Sequence, residues 1–171
     1  MRNPAIFAVA LAALGGAAAA QQTPSPSASP SPPPPYGAPI DLARAEKAIA
    51  DSVAEATRRG WRMDAAVVDS GANLVAFVRM DGNQLASAVI AEHKARTAAA
   101  FRRPTRAFEE AARNGAGVPV LSLDGVIASA GGVPLIEDGK LIGAIGCSGG
   151  TSAEDEATCL AGAATINGAG N

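Results

Sequence analysis

The stretch Ala65-Ala66-Val67-Val68-Asp69-Ser70-Gly71-Ala72-Asn73-Leu74-Val75-Ala76-Phe77-Val78-Arg79 decides the fold class. Two apolar runs rich in valine flank a polar tetrad with a glycine, the pattern of an antiparallel hairpin. On its N-terminal side, Asp41 is placed to cap a helix. Leu42, Ala45, Ile49, Val53 and Ala56 recur in it at three- and four-residue steps, and Gly60 closes it. On the C-terminal side, Met80-Asp81-Gly82-Asn83 leads into a helix from about Leu85 to Phe101. Pro104 interrupts it, and a short helix runs from Thr105 to Arg113 before Asn114-Gly115. Val118–Leu123 then reads as a third strand, turning at Asp124-Gly125. A fourth runs from Val126, bent at Gly131-Gly132 before Val133-Pro134-Leu135-Ile136. A fifth covers Leu141–Cys147, and a last helix starts near Ser152. The tight Asp-Gly turns and short links favour antiparallel pairing over long parallel crossovers. The expected architecture is α+β: an antiparallel sheet of about five strands with helices packed against it.

The rest of the 171 residues falls into two unlike segments before this domain. Residues 1–20 begin with Arg2 and continue as a small-residue apolar run ending in Ala18-Ala19-Ala20, which reads as a secretory signal peptide cleaved before Gln21. Residues 21–39 are a Pro/Ser-rich linker that favours extended polyproline conformations. The folded domain is then expected over residues 40–168, in a chain exported to a periplasm or secreted, with no stable membrane insertion. The net charge of −2 gives nucleic-acid binding no electrostatic support. With one His and two Cys, a zinc site of several Cys and His within one chain is excluded. So is a haem held between two histidines of the same chain.

Few residues can carry chemistry. Ser148-Gly149-Gly150-Thr151 enters the last helix, where spare N–H donors and the helix dipole suit a carboxylate or phosphate. Thr151 and Glu154 also have the spacing of a capping box, which accounts for the same residues without a ligand. Gly131-Gly132 marks a bulge, or the close approach of another group. His93, the sole histidine, can ligate iron or another transition metal, and equally can be a plain surface residue. Lys94, Arg96, Arg102, Arg103, Arg106 and Arg113 form a cationic stretch. It fits carboxylates, haem propionates included, or a solvated helix face. Arg79 and Met80 end a strand beside Asp81-Gly82, with Met80 either a soft ligand or core filling. Cys147 and Cys159 are either joined or two buried thiols.

Several of these blocks together resemble the GlcG/HbpS-like haem-binding family, related to the C-terminal domain of PduO cobalamin adenosyltransferases. The resemblance lies in Val67–Gly71 with Leu74–Gly82, Lys94–Ala98, Phe101 with Pro104-Thr105, Gly131–Leu135, Gly143–Gly150 and Asp155-Glu156. It implies profilin-like α/β/α layers around a five-stranded antiparallel sheet, self-association into homo-oligomers, and haem as cofactor. It also implies an exported haem- or tetrapyrrole-binding protein acting as carrier, buffer or sensor. Two other readings stand beside it: a small organic-acid-binding module using the start of the last helix, and an enzyme acting on haem or a small metabolite. The sequence offers no nucleophile–base pair for the last.

Overall fold

The computed structural model describes residues 32–115 and 118–168. Helix α1 spans Leu42–Arg59. The Asp41 side chain accepts from the Arg44 N–H at its start, and left-handed Gly60 ends it. Strands β1 (Asp64–Asp69) and β2 (Leu74–Arg79) form the expected hairpin. Helices α2 (Ala86–Phe101) and α3 (Arg106–Arg113) come next. The chain closes with β3 (Gly132–Glu137), β4 (Lys140–Ser148) and α4 (Ser152–Asn167).

The sheet has four strands among the described residues, in the order β2-β1-β4-β3, every pair antiparallel. The expected third strand is not there, and the fourth is present only past its bend at Gly131-Gly132, as β3. Val118–Ser122 winds into a 3-10 helix, and no strand precedes Gly132 in the segment from Val126. Pro119 fixes its own φ and lacks a ladder donor. Gly125 sits at φ +72°, and the segment ties to α2 instead of a strand. There the Thr97 hydroxyl donates to Gly125 O at 2.9 Å and accepts from Ile127 N–H at 3.1 Å.

The sheet is covered on both faces, so β1 is buried along most of its length. One face, carrying Ala65, Val67, Val133, Leu135, Ile145 and Cys147, packs on α1 and α4. The other carries small residues, Ala144, Gly146 and Gly132, and receives α2 through Ala91, Ala95 and Ala98. Small residues on both sides let helix backbone meet sheet backbone: a Cβ on Gly146 would lie 2.1 Å from Ala91 O.

The two sheet edges differ. The outer edge of β3 is stopped up by its own chain. Thr105 exchanges two bonds with Gly132, Pro134 has no N–H, and Asn167 caps Ile136 N–H and Pro134 O. The outer edge of β2 has no backbone partner among the described residues, and it exposes Leu74 and Phe77.

The signal-peptide reading of 1–20, and the linker as far as Ser31, lie outside the described residues. The end of the linker is tied down where a free tether was expected. Gly37 N–H donates to Leu141 O, Leu141 N–H donates to Pro35 O, and the Tyr36 hydroxyl donates to Ala100 O at 2.9 Å. No helix among the described residues is long and apolar enough to cross a membrane.

Candidate functional site

Helix α2 carries different chemistry on its two sides. Its sheet-facing side buries Lys94, whose ammonium reaches the Asp155 carboxylate on α4 at 2.6 Å, with side-chain exposures of 1% and 5%. Gly131 makes the passage possible. At φ +118°, a Cβ there would lie 2.8 Å from Asp155 Cβ and 3.1 Å from Lys94 Nζ. Burial pushes the Asp155 carboxyl up from its ordinary value. The Lys94 charge and the Gly150 and Gly149 N–H groups recover only part of that rise.

The start of α4 is capped in large part by the protein's own groups. Thr151 and Glu154 form a complete capping box, and Gly150 N–H donates to Asp155 Oδ1 at 2.9 Å. Gly149 lies so close to the β1 approach that a Cβ would be 2.0 Å from Arg62 O. At Gly132 the nearest atom to such a Cβ is Lys94 O, at 2.3 Å. The glycines expected at a ligand corner therefore admit α2 and the Arg62 backbone, and their close space is taken by this chain.

Beside them, between α3 and the first turn of α4, lies an open cavity of about 350 Å³. Arg106, Glu109, Arg113, Ala130, Thr151 and Ser152 are among the residues lining it. Its charges are paired: Arg106 with Glu156 (Nε to Oε1 2.7 Å), and Arg113 with Glu109. Burial pushes the Glu109 carboxyl up. The Ala130 N–H bond at 2.6 Å, Arg113, the Ser152 hydroxyl and Arg106 outweigh it, and the carboxyl ends below the ordinary glutamate value.

The solvent side of α2 presents Leu85, Val89, His93 and Arg96, each exposed. Leu85 and Val89 stand at 79% and 57% exposure, two turns and one turn before His93 on the same stripe. Arg96 bonds Glu92 at 2.6 Å, one turn back. His93 has no hydrogen-bond partner among the described residues.

The structure thus divides the residues singled out in the sequence. Gly131, Gly132, Ser148, Gly149, Gly150 and Thr151 come together where α2 and α4 meet the sheet. His93 and Arg96 face the other way. Arg79 and Met80 belong to a separate corner: Arg79 donates to Asn83 O, and the Met80 sulfur accepts from Met63 N–H at 3.4 Å. The cationic stretch is dispersed. Lys94 is buried, Arg102 lies over Tyr36, Arg103 over Phe108, and Arg106 and Arg113 hold carboxylates. Sequence reasoning missed two polar clusters. One is the Lys94–Asp155 pair. The other is a buried latch in which Asn83 Nδ2 donates to Asp64 Oδ1 at 2.8 Å and to Ser148 O at 3.1 Å. Neither has a local signal, because the partners lie 61, 19 and 65 positions apart.

Of the side chains able to ligate a soft or borderline metal, most are committed. Cys147 and Cys159 form a disulfide joining β4 to α4, with Cα atoms 5.6 Å apart. Met63 is buried, the Met80 sulfur and Tyr36 hydroxyl are engaged, and no cluster of three His, Cys, Asp or Glu suited to a metal exists among the described residues. Among the described sulfur and imidazole donors, His93 is the one left accessible.

Comparison with known proteins agrees with this architecture. Residues 40–164 match the model of the family described as haem degrading protein HbpS-like. The chain is 39% identical over 104 residues to Protein GlcG of Escherichia coli K12, covering 61% of this chain and 77% of that one. The crystal structure of HbpS superposes with a TM-score of 0.70 at 31% identity, over 77% of this chain and 92% of that one. The crystal structure of a PduOC:heme complex does so at 0.68 and 26%, over 75% and 96%. On the family match over residues 40–164, and on identity of this level to GlcG, the chain belongs to the HbpS-like family.

Proposed function

We propose that the protein binds haem on the outer face of α2, with His93 as the iron ligand. The observation that carries this reading is the accessibility of His93. Every sulfur donor described is oxidised, buried or hydrogen-bonded, while the sole imidazole stands free beside apolar Leu85 and Val89. Those residues fit the group. Imidazole is a common haem ligand, aliphatic side chains cover part of a porphyrin face, and Arg96 one turn on suits a propionate. The haem of the PduOC complex, in a relative of the same fold, supports the same choice of ligand class. When bound, haem supplies redox-active iron; the protein's part is to hold it, cover it and balance its carboxylates.

An open helix face suits a carrier or buffer, because a ligand held there can be passed on. The disulfide supports an oxidising, exported setting, as does the leader read in residues 1–20. Haemin titrated into the purified chain should give a saturable Soret shift, and His93→Ala should abolish the axial contribution to it. A weak, non-saturating change in the native chain would defeat the proposal.

The cavity between α3 and α4 supports a second reading, the binding of a small organic acid by Arg106, Arg113 and Ser152. Thermal-shift screening with small carboxylates tests it. Stabilisation lost in Arg113→Ala is expected, and no stabilisation by any acid would dismiss it.

A further inference from the structure

We infer that Asn114–Gly115, at the end of α3, is a site of spontaneous deamidation, while the matching pair Asn167–Gly168 at the end of α4 is shielded by its hydrogen bonds. The chain holds the same four residues twice, as Asn114-Gly115-Ala116-Gly117 and as Asn167-Gly168-Ala169-Gly170. The reaction needs only the dipeptide and water. The Gly115 nitrogen attacks Asn114 Cγ and a C–N bond forms. The Cγ–Nδ2 bond breaks, and the amide proton leaves with that nitrogen as ammonia. The cyclic imide then takes up water at either carbonyl, giving aspartate or its β-linked isomer. Glycine as the following residue leaves the attacking nitrogen unhindered and its backbone free to turn.

Exposure does not separate the two sites, because Asn114, Gly115, Asn167 and Gly168 are all exposed. Restraint does. Asn167 Oδ1 accepts from Ile136 N–H at 2.7 Å and its Nδ2 donates to Pro134 O at 3.2 Å, so the group under attack is fastened to β3. The attacking nitrogen is occupied as well, since Gly168 N–H donates to Ala164 O at 3.0 Å. Asn114 ends α3 with its own N–H on Glu110 O. Among the described residues, neither its side chain nor Gly115 N–H forms a hydrogen bond, and a Cβ on Gly115 would meet nothing within 4 Å. The product bears on α3. A carboxylate at position 114 stands at the negative end of the helix dipole and one turn after Glu110, and both contacts are unfavourable. Arg106 and Arg113 of the same helix line the cavity shared with α4, so that wall is the one that ages first.

The test incubates the folded full chain in warm, mildly alkaline buffer and follows both peptides by mass spectrometry, with the chain unfolded in urea as reference. In urea both peptides should gain the mass expected when an amide becomes a carboxylic acid, at similar rates. In the folded chain Asn114 should convert at least about tenfold faster than Asn167, which must wait for local opening. Asn114→Gln should remove most of the acidic species that accumulate on isoelectric focusing, because the larger ring closes slowly. Asn114→Asp, the mimic of one product, should unfold about 1–3 °C below the native chain. An Asn114 peptide that stays intact, or equal rates at the two sites in the folded chain, would overturn the proposal. A mimic as stable as the native chain would overturn the effect on α3 and leave the modification standing.

Discussion

Lys94 and Asp155 meet as a buried ion pair between α2 and α4, 61 positions apart in sequence and 2.6 Å apart in space. Each holds the other's charge away from water, and together they join the layer on one face of the sheet to the start of the helix on the other. Removing one member leaves the other uncompensated. Lys94→Met should cost about 3–5 kcal/mol at neutral pH, against much less for a double replacement of both by apolar residues. The Asp155 carboxyl is held above its ordinary value, so the native state binds that proton more tightly than the unfolded chain. Stability from this group is complete below the unfolded value of 3.8 and is lost as pH rises through the raised native one. Lys94 limits that loss. The gap between Lys94→Met and the native chain should therefore be narrow at about pH 4 and wide at about pH 7, read from denaturant midpoints. A gap independent of pH would contradict the pairing.

The glycines at the α2–sheet contact set a second expectation. In Gly132→Ala the new methyl meets Lys94 O, backbone that cannot swing aside. The loss should be about 3 kcal/mol or more. Gly139 is the control: it has φ +72° and nothing within 4 Å, so Gly139→Ala should cost only about 1–2 kcal/mol of left-handed strain. Equal losses at the two positions, measured by thermal unfolding, would remove close packing as the cause.

Thr105 tests the blocked strand edge. Its hydroxyl is the acceptor for Gly132 N–H at 2.8 Å, and the residue is fully buried. Thr105→Val preserves shape and leaves that donor unmet, which should cost about 1–3 kcal/mol. A urea midpoint unchanged from the native chain would show that another acceptor serves it.

The Cys147–Cys159 bridge closes a loop with a sequence separation of 12, and neither residue is exposed. Replacing both by Ala should lower stability by about 3 kcal/mol. In native buffer, thiol labelling after reductant should follow global opening rather than reductant concentration. Rapid reduction without unfolding would mean that the bridge is reached from solvent.

Most elements are legible in the sequence because their signals are local. Asp41 and Gly60 bracket α1, the Ser70–Asn73 turn marks the hairpin, and Thr151 with Glu154 announces α4. The segment 118–130 misleads because its valines carry the strand signal while Pro119 and Gly125 oppose it. What decides its conformation is non-local, the Thr97 hydroxyl offering both a donor and an acceptor to the loop. Gly131 and Gly132 are legible as a place of close approach, but their spacing cannot say that the approaching group is α2. Lys94 reads with its cationic neighbours as a partner for carboxylates or as part of a solvated helix face, with nothing to say that its partner is Asp155. One position separates Lys94 from His93, and that step of the helix turns one side chain into the core and the other outward.

The unequal edges of the sheet bear on how such a chain behaves when crowded. Fibrous growth needs an adhesive strand at each end of every building block, and here Thr105, Pro134 and Asn167 have silenced one of the two. Through its strands the protein is monofunctional in the chemist's sense. Joining at β2 uses up the reactive end, so propagation halts at a pair, and this permits a valine-rich hairpin to stay at the rim without seeding amyloid.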